Sequence, residues 1–119
     1  MSDNSPWPVE IRLKKDGRTL VVAFDDGVVH DLSAEMLRVL SPSAEVQGHS
    51  PDQRVTLGGK KDVAIVAVDP VGNYAVRLTF SDGHSTGIFA WPYLRRVGDE
   101  RAGLWAEYLA ELKAKGLER

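Results

Sequence analysis

Asp-Gly occurs three times in this 119-residue chain, at Asp16-Gly17, Asp26-Gly27 and Asp82-Gly83, each time beside a β-rich run. Glycine reaches the positive φ of a tight turn without steric penalty. The aspartate before it accepts hydrogen bonds from the turn's own amides. Each step therefore marks a place where one strand folds back on the next. Three such turns point to short antiparallel strands.

The strands around these turns are read from their period. Val9, Ile11 and Leu13 alternate with Glu10, Arg12 and Lys14, as in a half-buried strand. Thr19–Phe24 is the return strand and Val28–Leu32 a third. Ser33 is placed to cap a short helix, its hydroxyl accepting from first-turn amides. Met36, Leu37 and Leu40 give that helix an apolar stripe, and Pro42 stops it. The connection Ser41–Lys61 is polar, with only Val55–Leu57 hinting at a strand. A connection this long in a small domain is usually functional or mobile. The run VAIVAV within Asp62–Asp69 reads as a central strand buried on both faces. Pro70–Asn73 turns the chain into Tyr74–Phe80, and Ser85–Phe89 follows as another strand. Pro92 suits the first turn of a helix ending near Val97.

Two stretches match. FDDG (Phe24–Gly27) and FSDG (Phe80–Gly83) both follow a hairpin, and both precede a strand and a short helix carrying Leu-Arg. The pairing suggests a β-β-β-α unit used twice, with coincidence as the alternative, because Asp-Gly turns are common. Asp99–Lys115 reads as a helix with Trp105, Tyr108, Leu109 and Leu112 on one buried face. Glu111 and Lys115 are spaced as an i,i+4 pair, and Gly116 is placed to end the helix. The fold class is α+β: mostly antiparallel sheets, two short helices and a C-terminal amphipathic helix. Residues 1–8 read as a flexible tail, to which Trp7 between two prolines is the one candidate anchor. Residues 9–119 read as a single domain, with 99–116 as its closing helix.

Composition removes several function classes. The 15 basic and 17 acidic residues leave a net charge of −2, with no concentrated basic field for nucleic acid or a membrane surface. There is no cysteine. That rules out disulfides, thiol nucleophiles, thiolate metal sites and cysteine-held iron–sulfur clusters. No apolar run approaches the roughly 18 residues of a membrane-spanning helix. The first residues have neither the basic nor the apolar region of a signal peptide. A cytoplasmic location is the expectation.

Little in the chain resembles a reaction centre, and no enzyme activity is expected. His30, beside Asp31 in a strand, reads as a surface or edge histidine. His49, in the polar connection, and His84, just after a turn, sit where functional residues concentrate. Neither lies in a metal-binding or base-forming spacing. LGGKK at Leu57–Lys61 lacks the spacing of a phosphate-binding loop and reads as a turn with two solvated lysines. Trp91, Tyr93, Arg95 and Arg96 have the composition of an interface edge. The alternative is that Trp91 and Leu94 belong to the core and the arginines to solvent.

Three segments carry a family likeness: WPVEIRL at Trp7–Leu13, LSAEMLRVLSPSAEVQGH at Leu32–His49 and HSTGIFAWPYL at His84–Leu94. In this order and spacing they resemble the domain at the N-terminus of gamma-butyrobetaine hydroxylases, which also occurs as a stand-alone bacterial protein. The likeness runs from Trp7 to about Glu100. In the eukaryotic hydroxylases it implies a structural zinc held by three cysteines and a histidine. The cysteine positions fall on Ser41, Ser43 and Val46, and the histidine on His84. Zinc wants four nitrogen or sulfur ligands, so no metal and no other cofactor is expected here. The hydroxylases' iron-binding catalytic domain is matched by no part of the chain. The family domain also occurs fused to Mrp-like P-loop ATPases that carry iron–sulfur clusters. That implies a place beside the iron–sulfur assembly machinery, in partner recognition rather than cluster binding.

The expected function is a non-catalytic cytoplasmic protein-binding or adaptor module, monomeric. Its partner- or ligand-binding residues are His49, His84, Trp91, Tyr93 and Arg95, on a surface made by the Ser41–Pro51 loop, His84 and the Trp91–Arg95 helix. The alternative is a small-molecule-binding or oxygenase-associated accessory domain. An apolar pocket joining His49, His84 and Arg95 favours that alternative. A flat exposed patch around Trp91 and Tyr93 favours the adaptor.

Overall fold

The computed structural model describes residues 6–42 and 55–119. The first half holds β1 (Pro8–Leu13), β2 (Thr19–Phe24), β3 (Val29–Ser33) and α1 (Ala34–Val39). The second holds β4 (Ile65–Val71), β5 (Ala75–Phe80), β6 (Ile88–Ala90) and α2 (Trp91–Asp99), followed by α3 (Arg101–Ala114). Each half makes an antiparallel three-stranded sheet, β1-β2-β3 and β4-β5-β6. The fold is α+β, and the β-β-β-α order occurs twice.

The two matching turns are built alike. The Phe24 amide donates to the Val28 carbonyl at 2.8 Å, Gly27 to Phe24 at 3.1 Å, and Val28 to Asp26 Oδ1 at 3.2 Å. In the second half Phe80 donates to His84 at 2.9 Å, Gly83 to Phe80 at 2.9 Å, and His84 to Asp82 Oδ1 at 3.1 Å.

Side-chain alternation sends Leu20, Val22 and Phe24 of β2 and Val76, Leu78 and Phe80 of β5 into the core. With Leu32, Leu37, Phe89, Leu94 and Val97 they form one cluster drawn from both halves. A backbone bond also joins the halves: the Ile65 amide donates to the Gly17 carbonyl at 2.7 Å. A Cβ on Gly17 would lie 2.7 Å from the Ile65 oxygen, and its φ is +72°, so only glycine fits this turn.

The VAIVAV run is not a central strand. β5 is central and β4 lies at the edge. Val63 and Ile65 are buried, but Val66 is 60% exposed. The register slips between Ile65 and Ala67, so the bulge breaks the alternation and turns Val66 outward. A similar slip between Pro8 and Glu10 leaves Val9 exposed, while Ile11 and Leu13 pack against the core. Trp7 is tied to the second turn by its backbone, donating to Asp25 Oδ1 at 3.1 Å and accepting from the Asp25 amide at 2.8 Å. Val55–Leu57 forms no strand, and the last strand starts later than expected, at Ile88.

Ser33 Oγ accepts from the Met36 amide at 3.1 Å, and every residue of α1 is buried. The helical stretch near the C-terminus is longer than expected. α2 runs to Asp99, and α3 follows after Glu100. Gly116 ends α3 as the sequence indicates. Its amide bonds to the Lys113 carbonyl and the Leu117 amide to Leu112, the paired bonds of a Schellman ending. Tyr108 and Leu112 are buried, and Leu104 and Trp105 pack beside them. Leu109 is not part of the buried face. It is 39% exposed, because the inward face turns toward Leu104 instead. Thr56 bridges Glu111 and Lys115, donating to Glu111 Oε1 and accepting from Lys115 Nζ, both at 2.9 Å. No helix among the described residues is long and apolar enough to cross a membrane.

Candidate functional site

Two polar clusters tie the halves together, each built on the arginine of a Leu-Arg pair. Arg38 on α1 reaches the turn of the other half, and its Nε donates to Asp82 Oδ2 at 2.8 Å. Lys60 Nζ donates to the same oxygen, and the His84 amide to Oδ1. Burial pushes the Asp82 carboxyl up. The bonds from Lys60, the His84 amide and Arg38 outweigh that and hold it far below the usual carboxylate range. His84 is buried, with Nε2 3.0 Å from Ser41 Oγ and its ring 6.1 Å from that of Phe80. Gly87 lies close against Ser41: a Cβ there would sit 2.2 Å from Oγ. Arg38 itself is only 9% exposed, and its Nη1 has no hydrogen-bond partner.

The second cluster is the reciprocal one. Arg95 on α2 reaches the turn of the first half, with Nη1 2.9 Å from Asp26. Its Nε donates to both oxygens of Asp99, at 3.0 and 2.9 Å, and its guanidinium lies 5.1 Å over the Phe24 ring. Asp99 also faces His30 Nε2 at 2.8 Å. On the other side of that ring, Arg101 Nη1 lies 2.8 Å from Nδ1. A guanidinium only donates, so Nδ1 must accept and the proton sits on Nε2, a tautomer inferred from the donors around the ring. The bond from His30, with Arg95 behind it, holds the Asp99 carboxyl below its ordinary value against the opposing effect of burial. For Asp26, burial raises and the bonds from Arg95 and the Val28 amide lower, with a net depression. His30 is therefore no surface histidine. It shares the inward face of β3 with Leu32.

The candidate residues from the sequence do not meet in one place. His49 lies outside the described residues. His84 belongs to the first cluster and Arg95 to the second. Trp91 and Tyr93 are half-buried bolts: Trp91 Nε1 donates to the Asn73 carbonyl at 2.9 Å, and Tyr93 Oη donates to the Leu40 carbonyl beside Ser41. Lys60, read as a solvated lysine, is paired with Asp82. Arg38, Asp82, Asp26 and Asp99 were not singled out as site residues. The matched Leu-Arg and FxDG segments were the available signal.

Ser41 and His84, the positions where the resemblance puts zinc ligands, do meet. Their chemistry does not fit zinc. Ser41 brings a neutral hydroxyl instead of a thiolate, and no group of three or more His, Cys, Asp or Glu gathers among the described residues. A serine–histidine hydrogen bond stands there instead.

Two spaces adjoin α3. One, enclosed between the end of α1, Val55–Leu57 and α3, has a volume of about 10 Å³, room for a single water. The other is an open cleft of about 480 Å³ on the outer side of α3, with Leu109, Leu112 and Leu117 on its floor and Lys61 and Lys113 at its rim.

Two β-β-β-α units locked by reciprocal arginine–aspartate bridges define a small pseudo-symmetric α+β module. The chain belongs to the gamma-butyrobetaine hydroxylase-like N-terminal family, whose model matches residues 11–95. It is similar to two structures solved by NMR in solution, each 45% identical with a TM-score of 0.83. One match covers 98% of this chain and 91% of the other, the second 100% and 90%. It is also similar to the crystal structure of a protein of unknown function in the DUF971 family from Acidithiobacillus ferrooxidans. That protein is 44% identical with a TM-score of 0.67, over 82% of this chain and 98% of that one. No curated protein matches the chain.

Proposed function

We propose that this chain is a non-catalytic protein-binding module that acts as an adaptor in the cytoplasm. The observation that carries the reading is the cleft on α3. Leu109 and Leu117 are 39% and 40% exposed there, with Leu112 beneath them. Lys61 and Lys113 stand at its edge without an ion-pair partner among the described residues. This local cationic rim runs against the net charge of −2. An apolar floor with a basic rim suits a leucine-bearing acidic helix, with leucines giving affinity and acids giving register and encounter rate. Glu118 at one end of the cleft sets the polarity of that partner, since an acidic residue there is repelled. The family resemblance makes the iron–sulfur assembly machinery the partner class. A chain without cysteine would recognise the carrier and leave the cluster to it.

The test is fluorescence anisotropy with a labelled amphipathic peptide carrying leucines at i, i+3, i+4 and i+7 and glutamates elsewhere. Saturable binding that weakens with salt is expected. It should be lost in Leu109→Asp and reduced in the double variant Lys61→Glu, Lys113→Glu. If a scrambled peptide of the same composition binds as well, the reading fails.

A further inference from the structure

The two halves differ at one point. Arg95 holds two carboxylates, Asp26 across the interface and Asp99 along its own helix. Arg38 holds one, Asp82. The residue that follows Arg38 as Asp99 follows Arg95 is Pro42, whose ring offers no acceptor, and α1 has already ended at its cap, Leu40. Nη1 of Arg38 is accordingly buried with no acceptor. A buried guanidinium donor left unmet is costly, and such groups mark places where an ion or water belongs. Charge points the same way: Arg38 and Lys60 both lean on the single carboxylate of Asp82.

We propose that Arg38 Nη1 and Lys60 Nζ bind a carboxylate from outside the chain, in the place that Asp99 fills in the other half. A guanidinium fork matches the two oxygens of a carboxylate, and an ammonium supplies a second, adjustable donor. Nη1 is sealed from solvent, whereas the side chains of Lys60 and Asp82 are 22% and 23% exposed. The ligand therefore enters by drawing Lys60 off Asp82, and the ammonium then settles on the incoming oxygen. Ser41 and His84 keep their mutual bond and form the neighbouring wall. The site lies on α1 and the second turn, away from the α3 cleft, so it stands or falls independently of the adaptor reading. The carboxylate comes either from a small organic acid or from an acidic side chain of a partner.

The experiment follows the Nε–Hε resonances of Arg38 and Arg95 in the ¹⁵N-labelled full chain. Sodium acetate is titrated first, then a blocked heptapeptide with one glutamate, and the same peptide with glutamine as control. Ionic strength is held with sodium chloride. The Arg38 resonance should move saturably with acetate while Arg95, whose acceptors are in place, stays still. Peptide binding tighter than acetate, and absent with glutamine, assigns a protein carboxylate. Acetate binding without peptide binding assigns a small organic acid. Lys60→Met should weaken acetate binding by about tenfold with the folded spectrum retained, and Arg38→Lys should abolish it. An Arg38 resonance that stays still, moves in step with Arg95, or responds equally to chloride overturns the proposal and leaves Nη1 facing water only.

Discussion

His30 and Gly98 show how narrow the tolerances are at single residues. The imidazole lies flat against the glycine, and a Cβ on Gly98 would come 2.1 Å from His30 Cδ2. Gly98→Ala should therefore destabilise the protein by about 1–3 kcal/mol, the usual range for overpacking, as read from urea denaturation. Gly103 has nothing within 4 Å of its Cβ position and sits on the exposed side of α3. Gly103→Ala should instead add about 0.5–1 kcal/mol through helix propensity. The carboxylates set the response to acid. Asp26, Asp82 and Asp99 all have pKa values lowered in the folded chain. Each contributes stability that is present above the unfolded carboxylate pKa, about 4, and is lost as pH falls toward the folded value. The midpoint of denaturation should thus fall progressively below about pH 5. In Asp82→Asn the acid limb should be shallower and the stability at neutral pH lower. An acid limb identical to wild type would show that the Arg38–Asp82–Lys60 bridge contributes nothing.

At the scale of elements, α3 and the residues after it act as a strap. Glu35 on α1 is buried, and Arg119 holds both its oxygens, at 2.8 and 3.1 Å. The same guanidinium lies 5.1 Å over Trp105, and the Glu118 carbonyl accepts from the Gly59 amide at 2.8 Å. Removing Arg119 strands a buried carboxylate and should cost about 1–3 kcal/mol. Glu35→Gln in the shortened chain should recover part of that loss, because a neutral amide needs no cation. Thermal melts of the three proteins decide it: no recovery would mean that Arg119 acts through Trp105 instead. Deleting residues 101–119 goes further and exposes the places of Tyr108 and Leu112. The expected loss is on the order of 4 kcal/mol, an upper estimate from area burial. A deletion as stable as the full chain would mean that α3 is not part of the core.

For the molecule as a whole, the decisive fact is that neither half owns its core. Each sheet has three strands and one apolar face, too little to stand alone in water. Each Leu-Arg helix sends its arginine to the other half's turn. Fragments 1–61 and 62–119 should each be unfolded by circular dichroism. Mixed, they should regain the native spectrum in a concentration-dependent way. Cooperative folding of either fragment alone would show that the core is divided between the halves.

Much of this architecture is local and was legible in the residues. Asp-Gly steps, the period of β1 and β2, the Ser33 cap and the Gly116 ending are each decided within a few neighbouring residues, by φ preference, alternation and capping. The likeness to the family placed His84 beside Ser41 correctly, although periodicity alone did not. What stayed hidden needed the sheets to meet. An unbroken apolar run looks the same in a two-faced central strand and a bulged edge strand, so β4 was misplaced and Val66 with it. The burial of His30 depends on Gly98 and Asp99 arriving from the far end of the chain. Arg38, Arg95 and Arg119 are long flexible cations that pair with whatever carboxylate the fold brings near. The residues of the chain determined two matching sets of strands, turns and a helix. Which charges face each other was decided only by the packing of those sets, because ion pairs depend on distance in space and not on separation in sequence.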